Sequence, residues 1–170
     1  VVFTQKLVAV MLLSLASITA WAEGKVVVFD PMGAVLATDA AKAKFDKLQK
    51  SADFAAGKAT VDGLKADIQA LQASIQKDGL TWSAEQRAEK EKKLQSLGAD
   101  YQFQAKKLQT EQQTLAQQIM QEMGPKMETV VKQLVESEKI SLIVDAKSVM
   151  MAKPENDLTP KVTQLLNKAK

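Results

Sequence analysis

The residue types that usually carry chemistry are missing from this chain. Its 170 residues contain no histidine and no cysteine, which removes the usual general base, the commonest zinc ligands and the thiolate nucleophile. Gly57 followed by Lys58 lacks the earlier glycine and the Ser or Thr that a phosphate-binding loop requires. Asp30 and Asp145 each close a β-branched run, and capping a turn is the ordinary use of an aspartate so placed. The sequence therefore assigns no catalytic residue, no cofactor site and no metal site, and it points away from an enzyme. What remains is the chemistry of contact. Leu80, Trp82, Phe103 and Met120 are large apolar residues that fall off the helical seams described below. Such side chains offer wide, adaptable contact area to an unstructured partner, and packing against a sister helix is the competing use. Lys77, Arg87, Lys93, Lys106 and Lys107 form a basic set in the same region. A solvated helix face explains such charge by itself; attraction of acidic clients or lipid head groups is the alternative, and it would weaken as salt rises.

These residues have to be held by something long. Val61, Leu64, Ile68, Leu71 and Ile75 keep a strict 3,4 spacing, the seam of a coiled coil. Upstream, Phe45, Leu48, Ala52 and Ala55 follow the same spacing in another frame, so the phase slips near Phe54 to Gly57 and predicts a local bend. Asp78 and Gly79 end this helix, with Gly79 expected in the left-handed conformation. Ser83 and Gln86 form a capping box that starts a second helix, which places the tip at residues 79–82. The return seam runs through Leu94, Leu97, Tyr101, Leu108, Leu115, Ile119, Met123, Met127, Val130 and Leu134. Gly124 and Pro125 lie inside it. Proline removes one backbone donor and crowds the carbonyl four residues back, so a kink in a continuous helix is expected. It is a candidate hinge, with a fixed bend as the alternative.

At either end of this hairpin stands a small base. Val26 to Phe29 and Ile140 to Val144 read as strands, and Val149 to Met151 as a third. Thr159 is the expected N-cap of a last helix with Pro160 at its first position, burying Val162, Leu165 and Leu166. The fold class is thus α+β: a long antiparallel helical hairpin, residues 41–137, on a β-containing base from residues 23–40 and 138–170. With some 50 residues and no disulfide, such a base is too small to be firmly stable alone. Oligomerisation through it is the expectation.

Residues 1–22 have the form of a secretory signal: Lys6, an apolar stretch from Leu7 to Ile18, and the small-x-small sequence Ala20, Trp21, Ala22. Cleavage is expected after Ala22, and the stretch is shorter than the roughly 20 residues a membrane span requires. Removing Lys6 leaves 22 basic against 20 acidic residues, a formal charge of +2 instead of +3. Lysine and glutamate are interleaved and form no concentrated stripe, so nucleic acid is not an expected partner.

The segment ATDAAK at 37–42, DYQFQAKKL at 100–108, PKM at 125–127 and SLIVDAKSVMMAKPENDLT at 141–159 together resemble the OmpH family over nearly the whole mature chain. That resemblance implies a periplasmic homotrimer in which a shared β base carries three helical arms. The arms would enclose unfolded outer-membrane proteins without ATP and prevent their aggregation. A structural coiled-coil scaffold of the cell envelope is the second reading. A peripheral lipid-surface binder is the third, weakened because the apolar stripes are narrow and heptad-like.

Overall fold

A computed structural model describes residues 24–169; the expected signal segment and its cleavage point lie outside them. Strand β1 (Lys25–Phe29) is followed by helices α1 (Pro31–Leu36), α2 (Asp39–Gln49), α3 (Ala52–Asp78) and α4 (Ala84–Ser137). Strand β2 (Ile140–Asp145), two single 3-10 turns and helix α5 (Thr159–Lys168) complete the chain. Helices α3 and α4 pack along each other as the arm. At 1.5 Å per residue, the 27 residues of α3 span about 40 Å and the 54 of α4 about 80 Å.

The seams explain this pairing. Val61, Leu64, Ile68, Leu71 and Ile75 on α3 are partly buried while most of their neighbours are exposed, and the same alternation follows Leu94, Leu97, Tyr101, Leu108 and Leu115 on α4. Each helix hides one narrow stripe against the other and leaves the rest in water. The last five turns of α4 descend into the base, where Ile119, Val130 and Leu134 join the main core.

That core gathers Val27 and Phe29 of β1, Ala34 and Val35 of α1, Ala41 of α2, Ile140 of β2, and Leu158, Val162 and Leu166 at and within α5. The two strands run parallel, with Val26 opposite Leu142, Val28 opposite Val144 and Phe29 opposite Asp145, after an irregularity at Lys25. A parallel pair needs a crossover between its strands, and here the whole arm is that crossover.

Several expectations are corrected at this level. The outward helix is two helices, broken at Lys50 and Ser51 a few residues before the expected slip, because the Ser51 hydroxyl accepts from the Phe54 amide and starts a new helix. Gly79 has right-handed angles, φ −59° and ψ −24°. The left-handed terminus belongs instead to Lys139, φ 53°, at the junction of α4 and β2. Val149 to Met151 form no strand; Asp145 accepts from the Lys147 amide at 2.8 Å, turning the chain away from the sheet edge. Residue 159 is not a cap either. Leu158 occupies the cap position, Asp157 accepts from the Thr159 amide at 2.9 Å, and the Thr159 hydroxyl accepts from the Asp30 amide at 3.0 Å, tying α5 to the end of β1. Helix α1, unforeseen, is capped by the Asp30 carboxylate on the Gly33 amide at 3.0 Å. Asp30 and Asp145 are thus both caps.

Candidate functional site

Polar contacts close the arm at its tip and fasten it at its foot. At the tip the Ser83 hydroxyl accepts from the Gln86 amide at 3.2 Å while the Gln86 side chain accepts from the Ser83 amide at 3.0 Å. This reciprocal cap satisfies two otherwise orphaned donors. The Arg87 guanidinium donates to the Gly79 carbonyl at 2.9 Å, and the Thr81 hydroxyl donates to Asp78 at 2.7 Å. Gly79 is needed here for close approach: a Cβ would lie 2.3 Å from the Ile75 carbonyl oxygen.

This locked turn holds Leu80 out, 94% exposed, with Trp82 half-buried beside it. Lys77 and Arg87 flank the same turn in sequence, and Lys93 follows about two turns up α4 from Arg87. Since the guanidinium is engaged with Gly79, its role at the tip is to close the turn.

Farther down α4, Phe103 is 68% exposed. With Ala99, Gln102, Lys106, Lys107, Thr110 and the acidic Glu111 it lines a shallow groove of about 750 Å³. Spacing of three and four residues puts these side chains on one face, so an aromatic ring and two ammonium groups stand together there. Met120 does not belong to this face; it is partly buried and packs against the base core, because by that point α4 has entered the base. Pro125 sits on the exposed side of an unbroken helix, the Thr129 hydroxyl donating to its carbonyl at 3.0 Å, and both Met123 and Met127 around it pack on the core.

At the foot of the arm, Lys44 pairs with Glu122 across α2 and α4. At the junction of α4 and β2, Glu138 receives Lys25 at 3.0 Å and also pairs with Lys161. Hydrogen bonds from Lys161 and then Lys25 hold its carboxyl below the usual glutamate range. One side chain thereby fastens the start of β1, the end of α4 and helix α5.

The sequence reading missed a second surface. Val26 and Leu142, directly paired, are each about half exposed, and Met150 and Met151 lie wholly in solvent. The signal was present: every residue from Val26 to Phe29 is apolar, whereas a strand with one wet face alternates. Both faces of this strand want cover, and among the described residues only one receives it. Among the described residues no group of three acidic side chains could hold a metal, and no helix is long and apolar enough to cross a membrane.

The described residues form an arm of paired helices rising from a two-stranded parallel base. Residues 25–166 match the family model described as Outer membrane protein (OmpH-like), and the chain belongs to that family, whose members are chaperones and not enzymes. Among its relatives is a Skp-like protein of Pseudomonas aeruginosa, 26% identical over 153 residues that make up 90% of each chain. A solved structure from Caulobacter crescentus, described as an OmpH-like outer membrane chaperone, aligns with a TM-score of 0.47 at 20% identity, covering 85% of both chains.

Proposed function

We infer that this protein is a periplasmic holdase, which binds unfolded outer-membrane proteins between helical arms and prevents their aggregation without nucleotide. The observation that carries the reading is the exposure of Leu80 and Phe103 on a long hairpin, large apolar groups that no partner among the described residues covers. Many weak contacts of this kind, presented together, retain a client at useful strength while each stays easy to break. Phe103 and the adjacent Lys106 and Lys107 take apolar and acidic segments of the client; Leu80 and Trp82 make the outermost contacts.

Self-association of the base completes the reading. The apolar face of Val26 and Leu142 is the patch on which copies join, and three copies would carry three arms around one cavity. Gly124 and Pro125, at the level where α4 enters the base, set the angle at which each arm leaves it.

The test is aggregation of an unfolded β-barrel protein on dilution from urea, followed by turbidity with the mature chain present and no nucleotide. Suppression near stoichiometric amounts is expected, weakened in a Leu80→Ser, Phe103→Ser double variant. No suppression at several-fold excess would end the holdase reading, and a monomeric mass by light scattering would end the cavity. Recovery of one fixed folded partner from envelope extract, without any effect on unfolded clients, would favour the scaffold instead.

A further inference from the structure

The sequence Asp-Gly-Leu occurs twice in this chain, at 62–64 and at 78–80, and no other aspartate is followed by glycine. Such a pair is prone to rearrange, because glycine has no Cβ to hinder attack of its amide nitrogen on the carboxyl of the residue before it. The fold treats the two copies differently. Gly63 lies inside α3 with several helical turns on either side, and an added Cβ there meets nothing within 4 Å. Asp78 is the last residue of α3, and Gly79 is required after it because a Cβ would come within 2.3 Å of the Ile75 carbonyl oxygen. The Gly79 amide donates to that carbonyl at 3.1 Å, and the Arg87 guanidinium donates to the Gly79 carbonyl at 2.9 Å. Thr81 donates its amide and its hydroxyl to the Asp78 carbonyl, at 2.9 and 2.7 Å. No further turn of α3 follows this junction, and the ends of helices open more readily than their interiors.

We propose that the bond between Asp78 and Gly79 is the site at which the folded protein rearranges to isoaspartate, and that Arg87 restrains the reaction by holding the turn closed. When the turn opens, the Gly79 amide nitrogen is released from the Ile75 carbonyl and attacks the side-chain carboxyl carbon of Asp78 in its protonated form. The new C–N bond closes a five-membered imide; the carboxyl C–O bond breaks, and its hydroxyl leaves with the amide proton as water. A second water then opens the imide. Cleavage at the side-chain carbonyl restores aspartate, whereas cleavage at the main-chain carbonyl leaves the chain running through the side chain as isoaspartate. One water is lost and one regained, and no oxidant or reductant takes part. The product adds a methylene to the main chain at a turn with no spare room, so the Gly79 amide no longer meets the Ile75 carbonyl. The bond lies at the end of the arm away from the base, and water is its only reagent, so the joining of copies at the base does not shield it.

The folded mature chain is incubated at neutral pH and physiological temperature, and isoaspartate is followed at 62 and 78 by peptide mapping with electron-transfer fragmentation, which tells it from aspartate. The urea-unfolded chain gives the intrinsic rate of each site, against which the folded rates are read. Relative to those, isoaspartate at 78 should form roughly tenfold faster than at 62, as the easier opening of a helix end requires. Arg87→Ala should speed the reaction at 78 severalfold and leave 62 unchanged, since the guanidinium spans only the tip. Asp78→Glu, whose longer side chain closes a larger and slower ring, should remove the signal at 78 alone; circular dichroism checks that both variants fold. Equal relative rates at the two sites, a faster one at 62, no product at 78 by the time the unfolded chain has converted, or an unchanged rate at 78 in Arg87→Ala would each overturn the proposal. No client takes part, so the result stands or fails separately from the holdase assay.

Discussion

Phe54→Ala separates the stability of the arm from that of the base. Phe54 is 5% exposed and is the one buried residue of α3, yet it lies outside the cluster that joins β1, α1, α5 and the lower part of α4. It occupies the first turn of α3, just after the break at Lys50 and Ser51, and one turn later Gly57 lets α3 come close to Leu108 of α4. Removing a ring so deeply covered forfeits about 2–3 kcal/mol of apolar transfer energy. A cavity term brings the cost to roughly 3–5 kcal/mol unless the helices close over the gap. A narrow two-helix interface has little on either side to prevent such closure, so the lower figure, about 3 kcal/mol, is expected. The loss should also be local. Native-state hydrogen exchange should show faster opening of the amides of α3 and of the facing part of α4 around Leu108, with β1, α1 and α5 retaining their protection. Phe54→Leu should restore most of the difference. A cost below about 0.5 kcal/mol, the range of ordinary surface substitutions, would refute the burial argument. Equal loss of protection across arm and base would refute the separation.

Three further outcomes follow from local geometry. Gly63→Ala should stabilise α3 by about 0.5–1 kcal/mol, since an added Cβ there meets nothing within 4 Å and glycine is a poor residue for a helix interior; urea denaturation measures it. Lys139→Gly should raise stability by about 0.5–1 kcal/mol by relieving the left-handed strain at φ 53°, provided the Lys25 amide keeps its bond to the 139 carbonyl. Because its folded-state pKa is lowered, Glu138 contributes stability that is fully present above the ordinary glutamate value of about 4.3 and is lost as pH falls through the lowered folded value. Glu138→Gln should therefore cost about 1 kcal/mol near neutral pH and flatten the acid limb of the stability curve, and chemical denaturation at a series of pH values decides it.

The hairpin was legible because seams repeat: Val61 to Ile75 and Leu94 to Leu115 each offer several turns of the same period. The capping box at Ser83 and Gln86 was legible because both partners are local. Other features depended on contacts that periodicity does not report. The six residues of α1 are too few to show a helical period, and Asp30, read as the end of a strand, is also the start of that helix. Val149 to Met151 have strand-like composition, but β propensity needs a neighbouring strand to act on, and the turn at Asp145 carries them away from one. Gly79 does not take the expected left-handed conformation: the glycine is demanded by the nearness of the Ile75 carbonyl, and Lys139, which nothing in the sequence marks out, takes the left-handed conformation to bring α4 directly into β2. Among the candidate contacts, Phe103 with Lys106 and Lys107 share a face as helical spacing requires, whereas Met120 falls inside the base because sequence alone did not say how far α4 descends.

The parallel pairing of β1 with β2 also orders events in time. About 110 residues separate the two strands, and Val162 and Leu166 of the core come later still. As the chain is made, the rod can zip up from neighbouring turns alone, whereas the first strand waits without its mate until the closing segment emerges. Completion of the base is thereby postponed to the end of the chain, so a truncated product would carry a formed rod but no finished foundation.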